Sequence, residues 1–204
     1  MEVVQASPVK IPEPGTAAEC ANNTVLPVTV ADAAYLGNLT TVRKFLSDGG
    51  AVDALCPARD NGTLLMAAAV GGHAGLTRLL LNRRANIELQ NSAGLTPLMG
   101  ASQQVGNTEV IEMLIRAGAQ VERSNPRDGA TAILYAAERG DADAAQALLK
   151  AGANVDAAKM WRDDRESFAH IAELNVRASL RLDVGRDGSL LLLPEESGGG
   201  NDGR

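Results

Sequence analysis

Two histidines, two cysteines and one acidic run are the groups in this chain that could do chemistry. A catalytic site needs a base, a nucleophile or a stabilising group held within reach of one another. His73 and His170 sit in different blocks of the chain, and His73 directly follows Gly72, a place that suits helix packing. No combination of cysteine and histidine has the ligand spacing of a zinc site. Gly71-Gly72-His73-Ala74-Gly75 is glycine-rich, but it fits neither a dinucleotide fingerprint nor a phosphate loop with its lysine and hydroxyl residue. Asp163-Asp164-Arg165-Glu166 brings carboxylates together without the pattern of a calcium loop, and reads as the solvated start of a helix. Phosphoryl, acyl and hydride chemistry find no constellation. The sequence therefore predicts no enzyme, no catalytic residue, no metal, no cofactor and no small-molecule substrate.

The elements around these residues are more informative. Gly37, Gly72, Gly106 and Gly140 fall at spacings of 35, 34 and 34 residues. Twelve residues after each stands a second marker, Gly49, Arg84, Gly118 or Gly152. The apolar stretches Thr41–Leu46, Leu76–Leu81, Val110–Ile115 and Ala144–Leu149 lie between the two markers. Self-similarity at such a period means stacked units, each burying its apolar face on the next. Each block holds two short helices. The first is rich in small residues, as in Ala67-Ala68-Ala69, which lets a neighbour approach closely. The second carries its leucines at the spacing of a buried helical face. Gly118 and Gly152 suit the left-handed residue that ends a helix. Arg84 breaks that rule, so strain is expected there.

The third block begins Ala93-Gly94-Leu95-Thr96-Pro97-Leu98-Met99-Gly100-Ala101. It resembles the ankyrin repeat, whose mark is Thr-Pro-Leu-His-x-Ala in about 33 residues. Thr63-Leu64-Leu65 and Thr131-Ala132-Ile133 are the counterparts in the second and fourth blocks, and the first block is degenerate, with Val28 at the threonine position. The family histidine is missing throughout, replaced by Ala31, Met66, Met99 and Leu134. That predicts the loss of a polar link between repeats.

The resemblance implies an all-α ankyrin-repeat solenoid over residues 27–176, with short hairpin-like connections. Its four repeats span residues 27–59, 60–92, 93–127 and 128–160, and residues 161–176 form a degenerate C-terminal cap in which Trp161 and Phe168 cover the core. The connections Leu55–Asn61 and Arg123–Asp128 are lengthened, and one extra residue falls in the first helix of the third block near Gln103-Gln104-Val105.

Residues 1–26 contain Pro8, Pro12 and Pro14 without the basic start or apolar core of a signal peptide, and are expected to be disordered. Leu180–Val184 and Ser189–Leu193 flank an Asp- and Gly-rich turn, so residues 177–193 read as a β-hairpin, and residues 194–204 as a flexible tail. A net charge of -6 argues against nucleic acid or an anionic membrane as the main partner. Only 2% of residues are aromatic, which a core of alanine and leucine helices accommodates. Cys20 and Cys56 have no framework spacing and are expected as reduced thiols in the cytoplasm or nucleus.

What the resemblance implies about function is a protein partner, bound by a chain that is monomeric on its own. Carried over position by position, the family's concave contacts fall on Tyr35 and Leu36, on Asp60, Asn61 and Val70, and on Ser92, Ala93, Leu95, Gln103 and Gln104. In the fourth block they fall on Arg127, Asp128, Glu138 and Arg139. Tyr35 is the leading candidate because interface energy concentrates in Trp, Tyr and Arg. An alternative places the contact on residues 180–193, by strand addition or self-association.

Overall fold

Threonine opens the first helix of the second and third blocks because its side chain can accept a free N–H of the first turn. Thr63 accepts from the Met66 N–H at 3.2 Å, and Thr96 from the Met99 N–H at 3.3 Å. Thr131 has the same extended backbone, yet its buried hydroxyl makes no such bond. The computed structural model describes residues 24–154 and two three-residue strands beyond them. Among the described residues eight α-helices follow in pairs: α1 Val28–Tyr35 and α2 Leu39–Ser47, α3 Leu64–Val70 and α4 Ala74–Asn82, α5 Pro97–Ser102 and α6 Thr108–Arg116, α7 Ala132–Arg139 and α8 Ala142–Lys150.

The first helices α1, α3, α5 and α7 pack in series as an inner layer, and α4, α6 and α8 pack in series as an outer one. Between the layers lie Val42, Leu64, Leu65, Leu76, Leu80, Leu98, Ile111, Leu114, Ile133 and Leu148, all fully buried. Burying such side chains contributes roughly 1.5–3 kcal/mol each.

Gly37, Gly72, Gly106 and Gly140 all have positive φ and turn the chain from inner to outer helix. At Gly37 and Gly72 a second constraint applies. A Cβ there would collide with His73 and Asn107 respectively. Each of these side chains follows the turn glycine of the next repeat and reaches back. His73 Nε2 donates to the Tyr35 carbonyl at 2.8 Å, and Asn107 Nδ2 donates to the carbonyls of Ala69 and Val70 at 3.1 and 3.2 Å. Asp141 accepts from the Gly106 N–H at 2.8 Å and caps α8 with its other oxygen. Polar links between repeats thus survive the missing family histidine, supplied from another position.

A second ladder runs beneath the outer helices. Asp53, Glu88 and Glu122 accept the backbone N–H groups of Asn86, Gln120 and Asn154, each at 2.8 Å. Arg84 has φ 59°, where Gly49, Gly118 and Gly152 have 91°, 96° and 95°, so the expected departure is present.

Two expectations are corrected. Thr24–Leu26, assigned to the N-terminal segment, belong to the first repeat. The Leu26 N–H donates to the Leu55 carbonyl at 2.8 Å, the Leu55 N–H to the Thr24 carbonyl at 3.1 Å, and Leu26 is buried. The extra residue of the third block lies after α5, not within it, because the helix stops at Ser102 and residues 103–106 form a turn. The connections between repeats carry two isolated bridges, Val25–Leu55 and Cys56–Gly62, rather than continuous strands among the described residues. Strands β1 Leu182–Val184 and β2 Leu190–Leu192 pair antiparallel, with Leu182 opposite Leu192. The rest of the N-terminal segment, the expected cap with Trp161 and Phe168, and the tail lie outside the described residues.

Candidate functional site

The lengthened connection after the first repeat builds the most distinctive surface of the molecule. Pro57–Arg59 form one 3-10 turn, closed by bonds from the Cys56 N–H to the Gly62 carbonyl at 3.0 Å and from the Gly62 N–H to the Arg59 carbonyl at 2.8 Å. To make that closure, Asp60 and Asn61 both take left-handed backbone, with φ 53° and 54°. Asp and Asn tolerate this region better than other residues bearing a Cβ. The closed turn sends Arg59 back over α1, where its guanidinium lies 2.7 Å from the Asp32 carboxylate.

Between α1, α3 and this turn runs an open groove of about 290 Å³. Its floor is Ala31, Met66, Ala67 and Val70, and its rims carry Tyr35, the Asp32–Arg59 pair and Asn91. An apolar floor with few polar groups at the edge is the usual make-up of a binding cleft. Tyr35 is 51% exposed and Leu36 73%. Because the Asp32–Arg59 pair is itself largely exposed, it contributes little to stability and a partner can open it cheaply.

The other predicted contact residues divide into three groups. Along the tips of the connections, the Ser92 N–H donates to the Asp60 carbonyl at 2.6 Å and Asn61 Nδ2 donates to Ser92 Oγ at 2.8 Å, while the Arg127 guanidinium donates to the Ser92 carbonyl. These four residues form one rim along the connections that precede α3, α5 and α7, and Ala93 adjoins it. Gln103 and Gln104 lie in the turn after α5, and Glu138 and Arg139 are exposed in the last turn of α7.

Leu95 and Asp128 are committed inward. Leu95 packs against the cluster of Met99, Ala130 and Tyr135. Asp128 accepts from the Tyr135 hydroxyl at 3.1 Å and from the Ala130 N–H at 3.0 Å, and Asn125 Nδ2 donates to the same hydroxyl at 2.9 Å. Burial pushes the Tyr135 phenol up to about 12, opposed by the Asn125 hydrogen bond and reinforced by the Asp128 charge.

Sequence reasoning missed Asp32, Arg59, Met66 and Asn91 as parts of the groove. The long connection was visible, but nothing in its spacing says that Arg59 folds back onto Asp32. Burial also pushes the free Cys56 thiol up, which disfavours the reactive thiolate. Among the described residues no group of three His, Cys, Asp or Glu side chains could hold a metal, and no helix is long and apolar enough to cross a membrane.

Comparison with known proteins agrees with the architecture. The family model for ankyrin repeats (three copies) matches residues 30–125 and 88–159, well over half of the chain. The probable E3 ubiquitin-protein ligase XBOS31 of Oryza sativa subsp. japonica is 32% identical over 105 residues, 52% of this chain and 23% of that protein. The probable E3 ubiquitin-protein ligase XBOS33 of the same plant is 37% identical over 70 residues, 34% of this chain and 13% of that protein. The ankyrin repeat and SAM domain-containing protein 6 of Mus musculus is 43% identical over 63 residues, 30% of this chain and 7% of that protein. The chain thus spans less than a quarter of each of these relatives.

Proposed function

The chain belongs to the ankyrin-repeat family, and we propose on that premise that it is a non-enzymatic protein-interaction module whose partner lies on the inner-helix face. Ankyrin repeats are in general protein–protein interaction modules, which supports the coarse reading. The observation that carries the finer one is the groove between α1 and α3, with an apolar floor and Tyr35 on its rim. An adaptor or a regulatory subunit would use such a face in the same way. The ligase names of the rice relatives belong to whole proteins of which the chain matches a small part, so no ligase chemistry is assigned to it. A site of action in the cytoplasm or nucleus fits the buried free thiol of Cys56.

The test is site-specific photo-crosslinking in source lysate with the full chain. A crosslinker at Tyr35 is expected to capture a defined protein, and Ala67→Glu, at a half-buried position of the groove floor, to abolish that capture while the circular dichroism spectrum is kept. Capture of the same protein only from Arg116, on the outer layer, would overturn the proposal. A second reading is favoured by the antiparallel pair β1–β2, since an isolated pair of strands is marginal in water and gains from a third. Deleting residues 177–204 separates the two readings, because only the second predicts loss of association.

A further inference from the structure

We infer a second interaction surface, on the outer helices of the first two repeats, that takes an acidic segment of a partner protein. Arg43 on α2 and Arg78 on α4 are separated by the same 35 residues as Gly37 and Gly72, so they hold the same position on neighbouring outer helices. Arg83 and Arg84 follow at the C-terminal end of α4, and Lys44 adjoins Arg43. All five are exposed. The side chains of the four arginines have no ion-pair or hydrogen-bond partner among the described residues; Arg139 on α7 has none either, whereas Arg59, Arg116, Arg123 and Arg127 all have one.

The acids of the same layer do not neutralise them. Asp48 is held by Lys44 at 3.1 Å, Asp53 accepts from the Asn86 N–H, and Glu88 accepts from the Gln120 N–H and faces Arg123. The matching position on α6 is Glu112, paired with Arg116, so the basic surface ends with the second repeat.

Arg84 supplies an independent observation. It occupies left-handed backbone at a position that is glycine in the other three repeats. Strain of this kind persists only where the surrounding structure enforces it, and such outliers cluster at functional sites. A cation near a helix C-terminus does complement the helix dipole. The dipole, however, accounts for neither Arg43 and Arg78 within their helices nor the surrender of a glycine.

Charge decides the occupant. The whole chain carries -6, so a long polyanion or an anionic membrane would meet net repulsion beyond the patch. A short acidic segment can be confined to the patch, where Asp48 is already paired with Lys44. A chain in polyproline-II conformation rises about 3.1 Å per residue and returns to the same face every third residue. Carboxylates at every third position of such a chain share one face, about 9 Å apart, and each can pair with a guanidinium through two hydrogen bonds.

The test is fluorescence anisotropy of the full chain with a short labelled peptide bearing glutamate at every third position. Binding is expected at low salt and is expected to weaken as salt rises. The double reversal Arg43→Glu with Arg78→Glu is expected to weaken it by about tenfold or more, whereas Lys150→Glu, in the last turn of α8, leaves it unchanged. Arg84→Gly is expected to weaken binding while raising the melting temperature, a combination that a purely structural arginine would not give. Equal binding of the glutamine version of the peptide, or indifference to the double reversal, would overturn the inference. Tighter binding of a DNA duplex or of phosphatidylserine vesicles would overturn the assignment to a protein segment. Because Tyr35 plays no part in this surface, loss of crosslinking at Tyr35 leaves the inference intact.

Discussion

Arg84 and Tyr135 show how far one side chain can move the balance of this fold. A Cβ in left-handed backbone costs about 1 kcal/mol or more, and glycine adds back some freedom to the unfolded chain. Arg84→Gly is therefore expected to stabilise by about 0.5–1 kcal/mol in urea unfolding, and a loss of stability would reject the strain assigned to φ 59°. Tyr135 makes a pH-dependent contribution instead. Its pKa rises from an ordinary value near 10 to about 12, mainly through burial. The folded state therefore holds the proton more tightly than the unfolded state. That stability is fully present below pH 10 and is lost as pH rises through about 12. Unfolding free energies measured across this window are expected to fall in the native chain. In Tyr135→Phe they are expected to start lower, because the buried Asn125 loses a partner, and to lack the fall. A variant that declines as steeply as the native chain would place the titration elsewhere.

At the scale of elements, helices are joined by residues that follow the turn glycines. Asn107 holds the last carbonyls of α3, so Asn107→Ala is expected to cost about 1–2 kcal/mol in thermal or urea unfolding. Asn107→Asp is expected to cost more, since a carboxylate cannot donate and brings negative charge to a helix C-terminus. Equal stability of the two variants would show that the contact is packing alone. The glycine period and the left-handed Arg84 were both legible in the sequence, because each is local and its constraint acts on its own backbone. The ladders were not. His73 read as a helix-packing residue and Asn107 drew no reading, and only their placement over Gly37 and Gly72 shows that they reach back one repeat. The Asp32–Arg59 pair was hidden for the same reason, since it joins an inner helix to a closed turn in the next connection. Leu95 and Asp128 sat at exposed positions by family analogy, but the Tyr135 hydroxyl and the Met99 cluster draw them inward. Position within a repeat gives the backbone site, while the neighbouring repeat decides where the side chain goes.

For the whole molecule, the same ladders make each repeat dependent on its neighbours, and stability is close to a sum of repeat and interface contributions. Leu114 is fully buried in α6, a helix that packs on α4 on one side and on α8 on the other. Leu114→Ala is expected to cost about 2–5 kcal/mol, a large share of the roughly 5–15 kcal/mol of an ordinary domain. Since the cavity lies at two interfaces, hydrogen exchange is expected to speed up in α4 and α8 as well as α6. Unfolding is expected to remain a single transition. Acceleration confined to α6 and α5, or separate melting of the first two repeats, would mean that the stack is two units and not one. The distinction reaches function, because the groove and the arginine surface both lie on the first two repeats, on opposite layers. In a continuous stack, a defect in the third repeat weakens both surfaces together as the melting temperature is approached. In a divided one, both surfaces would outlast it unchanged.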